Sequence, residues 1–219
     1  MKFLRTLSYR LFRLIWNPHL TENPESAIPL AETLRISAIR SIGFEKYEES
    51  RLCWAKVCLS KVIRSGGLIL IAGSPKHGKT HIAQCISELT GMKFGNTSDL
   101  IYEEAIERYG KGFLEKSKEE IRGTLCEIGD SICKDDPAAI CKELYSRGVR
   151  IIAGLRKLDE LREILFHGIP VFVIWVTRPG HDTVVDNTNL SRDYCDFDLV
   201  NDELYETRVE SLLELSIYP

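Results

Sequence analysis

The strongest constraint on this chain lies between residues 68 and 89. The apolar run LILIA at 68–72 leads into Gly73, Ser74, Pro75, Lys76, His77, Gly78, Lys79 and Thr80, and Ile82, Ala83, Ile86 and Leu89 follow at helical spacing. A buried-type strand, a GxxxxGK[ST] loop and a helix, in that order, are the context in which a backbone wraps a polyphosphate. Glycines let the chain curl so that consecutive N–H groups point at phosphate oxygens, and the helix N-terminus adds its positive end. In this reading Lys79 bridges the β- and γ-phosphates and the Thr80 hydroxyl ligates Mg2+. ATP and Mg2+ are therefore the expected ligands of residues 73–80. His77 stands at a variable position; a lone imidazole needs an oriented partner to act as a base, so its backbone is what the loop is expected to use.

From Leu68 onward, short apolar runs alternate with helical stretches, which predicts an α/β fold with a parallel sheet and crossover helices. Strands are predicted at 68–72, 93–96, 149–153, 171–176 and 197–200, with helices near 79–90, 99–109, 117–133, 137–147, 157–167 and 203–214. The expected architecture is a three-layer domain over residues 67–219 around a mostly parallel five-stranded sheet. Residues 1–66 are expected to form an N-terminal helical extension. It comprises an amphipathic helix over 3–16, a proline-containing linker over 17–29 and a second helix from about 45 to 64, stopped by Gly66 and Gly67.

The first of those helices places Leu4, Leu7, Leu11, Leu14 and Ile15 on one face and Lys2, Arg5, Arg10 and Arg13 on the other. Docking on the body of the protein, attachment to an anionic membrane surface and organelle targeting all remain open for residues 2–16. Residues 1–66 carry 11 basic against 6 acidic side chains, while the whole chain has a net charge of -3. That balance is too small for a nucleic-acid binder, and none is expected. The seven cysteines are odd in number and lack a CxxC pair or zinc-ligand spacing, so reduced thiols and a cytoplasmic setting are expected. No apolar run reaches the roughly 18 residues needed to cross a bilayer.

Which class of phosphate-loop protein this is depends on the other strand ends. A guanine-reading NKxD sequence is absent, and VRIIAG and VFVIWVT both end without the acidic residue that supports Mg2+ in motor-type ATPases. Arginines stand there instead: Arg156 follows the third strand in IIAGLRKLDEL, and Arg178 follows the fourth in FVIWVTRPG. Ligands of open α/β sheets collect at these carboxyl ends, and guanidinium groups bind phosphate bidentately. Arg122, in EEIRGTLCEIGD, lies on a helix between the second and third strands.

With GSPKHGKT, RGTLCEIGD, AGLRKLDEL and the closing stretch from TRPG to CDFDLVND, residues 68–214 resemble the P-loop nucleoside monophosphate kinases, most closely the deoxynucleoside monophosphate kinases of phage type. The resemblance implies phosphoryl transfer from ATP to a nucleoside or deoxynucleoside monophosphate. By it, Arg122 and Arg156 hold the acceptor phosphate, Arg178 closes over the transferring group from a lid spanning 179–193, and the Asn201–Asp202 turn borders the donor's adenine. Asp99 is read either as a helix cap or as an aid to acceptor or metal. Asp130 is read either as a solvated helix-end carboxylate or as a contact to the acceptor's sugar or base. The main departure is Ala153, near where many such kinases carry an aspartate. A nucleotide-binding regulatory or assembly protein without turnover is therefore the alternative, and a kinase of another small acceptor is a third reading. Oligomeric state is not legible.

Overall fold

The computed structural model describes residues 43–181 and 190–217 of the chain. The amphipathic segment over 3–16, the linker over 17–29 and the centre of the expected lid lie outside them.

Helix α1 (Phe44–Arg64) is followed by β1 (Leu68–Ala72), α2 (Lys79–Thr90), β2 (Phe94–Asn96) and α3 (Thr97–Tyr109). A 3-10 turn at Lys111–Glu115 leads to α4 (Lys118–Ile132) and α5 (Ala139–Ser146). The chain then forms β3 (Ile151–Ala153), α6 (Leu158–Phe166), β4 (Val171–Thr177), a 3-10 turn at Arg192–Tyr194, β5 (Phe197–Val200) and α7 (Tyr205–Ile217). The five strands lie in the order β2-β3-β1-β4-β5. Every pairing is parallel, with Ile71 beside Ala153 on one flank and beside Ile174 on the other. The mostly parallel sheet expected from the sequence is thus parallel throughout; among the described residues the predicted strands and helices differ from the observed ones at their ends, and the two 3-10 turns are not among the predicted elements.

The two-residue period of a strand sorts side chains to opposite faces. Ile69, Ile71, Phe172, Ile174 and Val176 point to one face, where α2 supplies Ile82, Ala83 and Ile86 and α7 supplies Val209, Leu212 and Leu213. Leu68, Leu70, Ile152, Val171 and Val173 point to the other, against Ile140, Cys141 and Leu144 of α5 and Leu158, Leu161 and Ile164 of α6. Three layers result. The first core also contains Ala55, Cys58, Leu59 and Val62 of α1, each at most 2% exposed. Burying one large aliphatic side chain stabilises by roughly 1.5–3 kcal/mol, so α1 is bonded to the same core as the sheet although the sequence reading groups it with residues 1–66. Spacing explains it: positions 55, 58, 59 and 62 lie on one helical stripe.

The central place of β1 positions the site. Its neighbours β3 and β4 lie on opposite sides, so the loop leaving its carboxyl end emerges where the order of connections reverses, the usual ligand position in such sheets.

Candidate phosphate-binding site

The loop at 73–80 joins the carboxyl end of β1 to the first turn of α2 and folds around its own lysine. Lys79 Nζ donates to the carbonyl oxygens of Gly73 and Ser74, each at 2.8 Å. A triphosphate entering the loop would offer this ammonium stronger, charged acceptors. Lys76 has φ 65°, the only positive value at a non-glycine residue among those described. Such strain concentrates at ligand-binding turns. Two glycines are dictated by close approach as well as by conformation. At Gly73, φ is +136° and a Cβ would lie 2.4 Å from the Val176 carbonyl oxygen; at Gly78, φ is +87° and a Cβ would lie 2.1 Å from Asn201 Nδ2.

His77 is 2% exposed. Its Nδ1 lies 3.3 Å from the Val176 carbonyl oxygen; a carbonyl only accepts, so the proton is assigned to Nδ1. Nε2 is left buried without a hydrogen-bond partner among the described residues. The His181 ring lies 6.4 Å away between centroids.

Thr80 Oγ1 donates to Asn96 Oδ1 at 2.8 Å. Asn96 closes β2, occupies the N-cap of α3 and pairs in register with Ala153. The acceptor for Thr80 therefore comes from the strand beyond Ala153, and sequence reading missed it. The available signal was a polar residue at the end of a predicted strand. With its proton on Asn96, the Thr80 oxygen keeps its lone pairs for a cation. Among the described residues no three His, Cys, Asp or Glu side chains gather as a metal site. A cation here would rely on phosphate oxygens, Thr80 and water, a ligand set that suits Mg2+. Asp99 accepts from the Asn96 backbone N–H at 2.7 Å, so its carboxylate is engaged in capping α3.

Arg156 and Arg178 leave the sheet on the two flanks of the loop, after β3 and β4. Both side chains are exposed, and neither guanidinium has an ion-pair partner among the described residues. The backbone around Arg156 is held from below. Glu160, 7% exposed, accepts from the Arg156 N–H and from the Cys141 thiol, each at 3.4 Å. Burial pushes the Glu160 carboxyl above its ordinary range, although its hydrogen bonds oppose the shift. Burial likewise pushes the Cys141 thiol well up, which makes it a structural group and not a nucleophile. Thr97 Oγ1 donates to the Gly154 carbonyl at 3.2 Å, joining the β3 loop to the start of α3.

The remaining expected residues are less concentrated. Asp130, exposed at the end of α4, pairs with Lys157 Nζ at 2.6 Å, a contact that raises the lysine's pKa and ties α4 to the loop bearing Arg156. Arg122 is exposed on α4. Asn201 lies against the phosphate loop, its Nδ2 donating to the His77 carbonyl oxygen at 2.9 Å.

No family model matches the chain, and no curated protein matches it. Seven chains among solved structures match. One is a sugar kinase from Janibacter sp. HTCC2649, solved without ligand; it aligns with a TM-score of 0.38 and 17% identity over 69% of this chain and 96% of its own. At that TM-score the similarity has no bearing on activity. No helix among the described residues is long and apolar enough to cross a membrane.

Proposed function

We propose that this protein binds ATP with Mg2+ at residues 73–80 and transfers the γ-phosphoryl group to a nucleoside or deoxynucleoside monophosphate. One observation carries the reading: the GxxxxGKT loop springs from the central strand, and the loops bearing Arg156 and Arg178 flank it with exposed guanidinium groups. Phosphoryl transfer requires little covalent chemistry from a protein, since positioning and charge neutralisation do most of the work. In this reading Lys79 exchanges its carbonyl partners for β- and γ-phosphate oxygens. Arg156 binds the acceptor phosphate, Arg122 assists it, and Arg178 meets the transferring group. Thr80 would help hold Mg2+, which would supply positive charge to offset that of the phosphates. The acceptor phosphate is already a nucleophile, which fits a site whose catalytic groups are cations.

Nucleotide binding without turnover is the second reading. The apolar Ala153 at the end of β3, with a neutral amide from Asn96 beside Thr80, favours it. Incubation with ATP, Mg2+ and a panel of monophosphates, followed as diphosphate formation, separates the two. Lys79→Ala is the control: calorimetric titration with ATP and Mg2+ should show at least a tenfold loss of affinity, on the order expected for a charged hydrogen bond, in a protein that still folds. Unchanged affinity would sink the phosphate-loop assignment.

A further inference from the structure

The outer wall of the phosphate loop is pinned to the ends of β4 and β5. The Asn201 backbone N–H donates to the Thr177 carbonyl at 2.7 Å, which fixes the residue at the junction of the two strands. From there Nδ2 reaches the His77 carbonyl at 2.9 Å and fills the space that a side chain on Gly78 would need. The His77 ring reaches the Val176 carbonyl at 3.3 Å, so residue 77 is held by its side chain as well as by its carbonyl.

A trans peptide is planar, with its carbonyl and its N–H pointing in opposite directions. Drawing the His77 carbonyl outward toward Asn201 therefore turns the Gly78 N–H the other way, toward the interior of the loop. A carbonyl facing that interior would instead repel a phosphate oxygen. We infer that Asn201 is a positioning residue for phosphate binding, which aims the Gly78 N–H at the bound polyphosphate, and that it does not read the nucleotide's base. The inference rests on the phosphate-loop reading above. It departs from the place beside the donor's adenine that the sequence resemblance implies for the Asn201–Asp202 turn, because the Asn201 amide is turned toward the loop, with one Nδ2 hydrogen given to the His77 carbonyl.

The test uses the full chain as wild type, Asn201→Ala and the near-isosteric Asn201→Asp. Calorimetry with Mg2+ measures affinity for ATP, GTP and inorganic tripolyphosphate, and amide proton–nitrogen spectra report both folding and the Gly78 N–H. In the wild type, tripolyphosphate should move the Gly78 amide downfield. Asn201→Ala should weaken all three ligands by a similar factor, about tenfold, and abolish the Gly78 shift while the Lys79 and Thr80 amides still respond. Asn201→Asp, which presents an acceptor to the His77 carbonyl, should lose the Gly78 shift too. Loss of ATP binding with tripolyphosphate unaffected would make Asn201 a base reader and overturn the inference, as would an unchanged Gly78 shift in both variants. A wild-type protein that binds neither ATP nor tripolyphosphate would overturn the phosphate-loop reading and this inference with it, an outcome distinguishable because it needs no variant.

Discussion

Thr80 and Asn96 are joined by a 2.8 Å hydrogen bond between the first turn of α2 and the end of β2. The bond spans a flank where Ala153 contributes no polar group. Asn96→Ala frees the Thr80 hydroxyl to rotate and removes an N-cap residue, which costs about 1 kcal/mol of stability. The Mg2+ concentration supporting half-maximal ATP binding should rise severalfold, with metal-free ATP binding unchanged. Asn96→Asp, which adds a charge beside Thr80, should shift that requirement downward. Calorimetry at stepped Mg2+ checks both; identical metal dependence in all three proteins would remove Asn96 from the site.

Arg156 and Arg178 should separate kinetically. The backbone of Arg156 is braced by Glu160 and followed directly by α6, an arrangement suited to ground-state binding. Arg178 precedes Pro179 and Gly180, the latter at φ 74°, a turn that lets the side chain approach on closure. An interaction present only in the transition state lowers kcat when removed, whereas one made equally in both states raises KM. Arg156→Ala should mainly raise the acceptor KM. Arg178→Ala should mainly lower kcat, by on the order of 10³ as for arginine fingers. Steady-state kinetics reversing that pattern would overturn the roles.

Glycine substitutions should discriminate close approach from conformation alone. Gly73→Ala forces a positive φ on alanine and places its Cβ 2.4 Å from the Val176 carbonyl. A loss of about 2–3 kcal/mol is expected. Gly91 also has positive φ, at +70°, but nothing within 4 Å, so Gly91→Ala should cost only about 1 kcal/mol. Urea unfolding measures both, and equal costs would contradict the packing of the loop against β4.

Glu160 predicts a direction for acid dependence. Its folded pKa is raised by burial, so the native state holds the proton more tightly than the unfolded chain. This contribution to stability is complete below the ordinary value of 4.5 and is lost as pH rises through the folded value. Glu160→Gln, neutral throughout, should flatten the stability profile in that window above 4.5. Thermal unfolding across the range checks it; a parallel profile for the mutant would reject the assignment.

The fold was largely legible because its signals are local. Alternating apolar runs define strands, 3.6-residue spacing defines helices, and GSPKHGKT needs only its own residues and their neighbours to be recognised. The polyphosphate ligand proposed for the loop rests on that local chemistry, since glycine conformation and a lysine at a helix start do not depend on distant partners. What only tertiary structure decided is which distant groups converge on the loop. Strand order β2-β3-β1-β4-β5 brings Asn96 to Thr80 across 16 residues and Asn201 to His77 across 124. Tertiary structure also packs α1 into the core and brings Asp130 to Lys157, whereas the Asp99 cap on the Asn96 N–H spans three residues and is local. Periodicity reports which face of an element is buried, whereas the identity of the partner on that face depends on how the sheet is ordered, and no local spacing encodes that order.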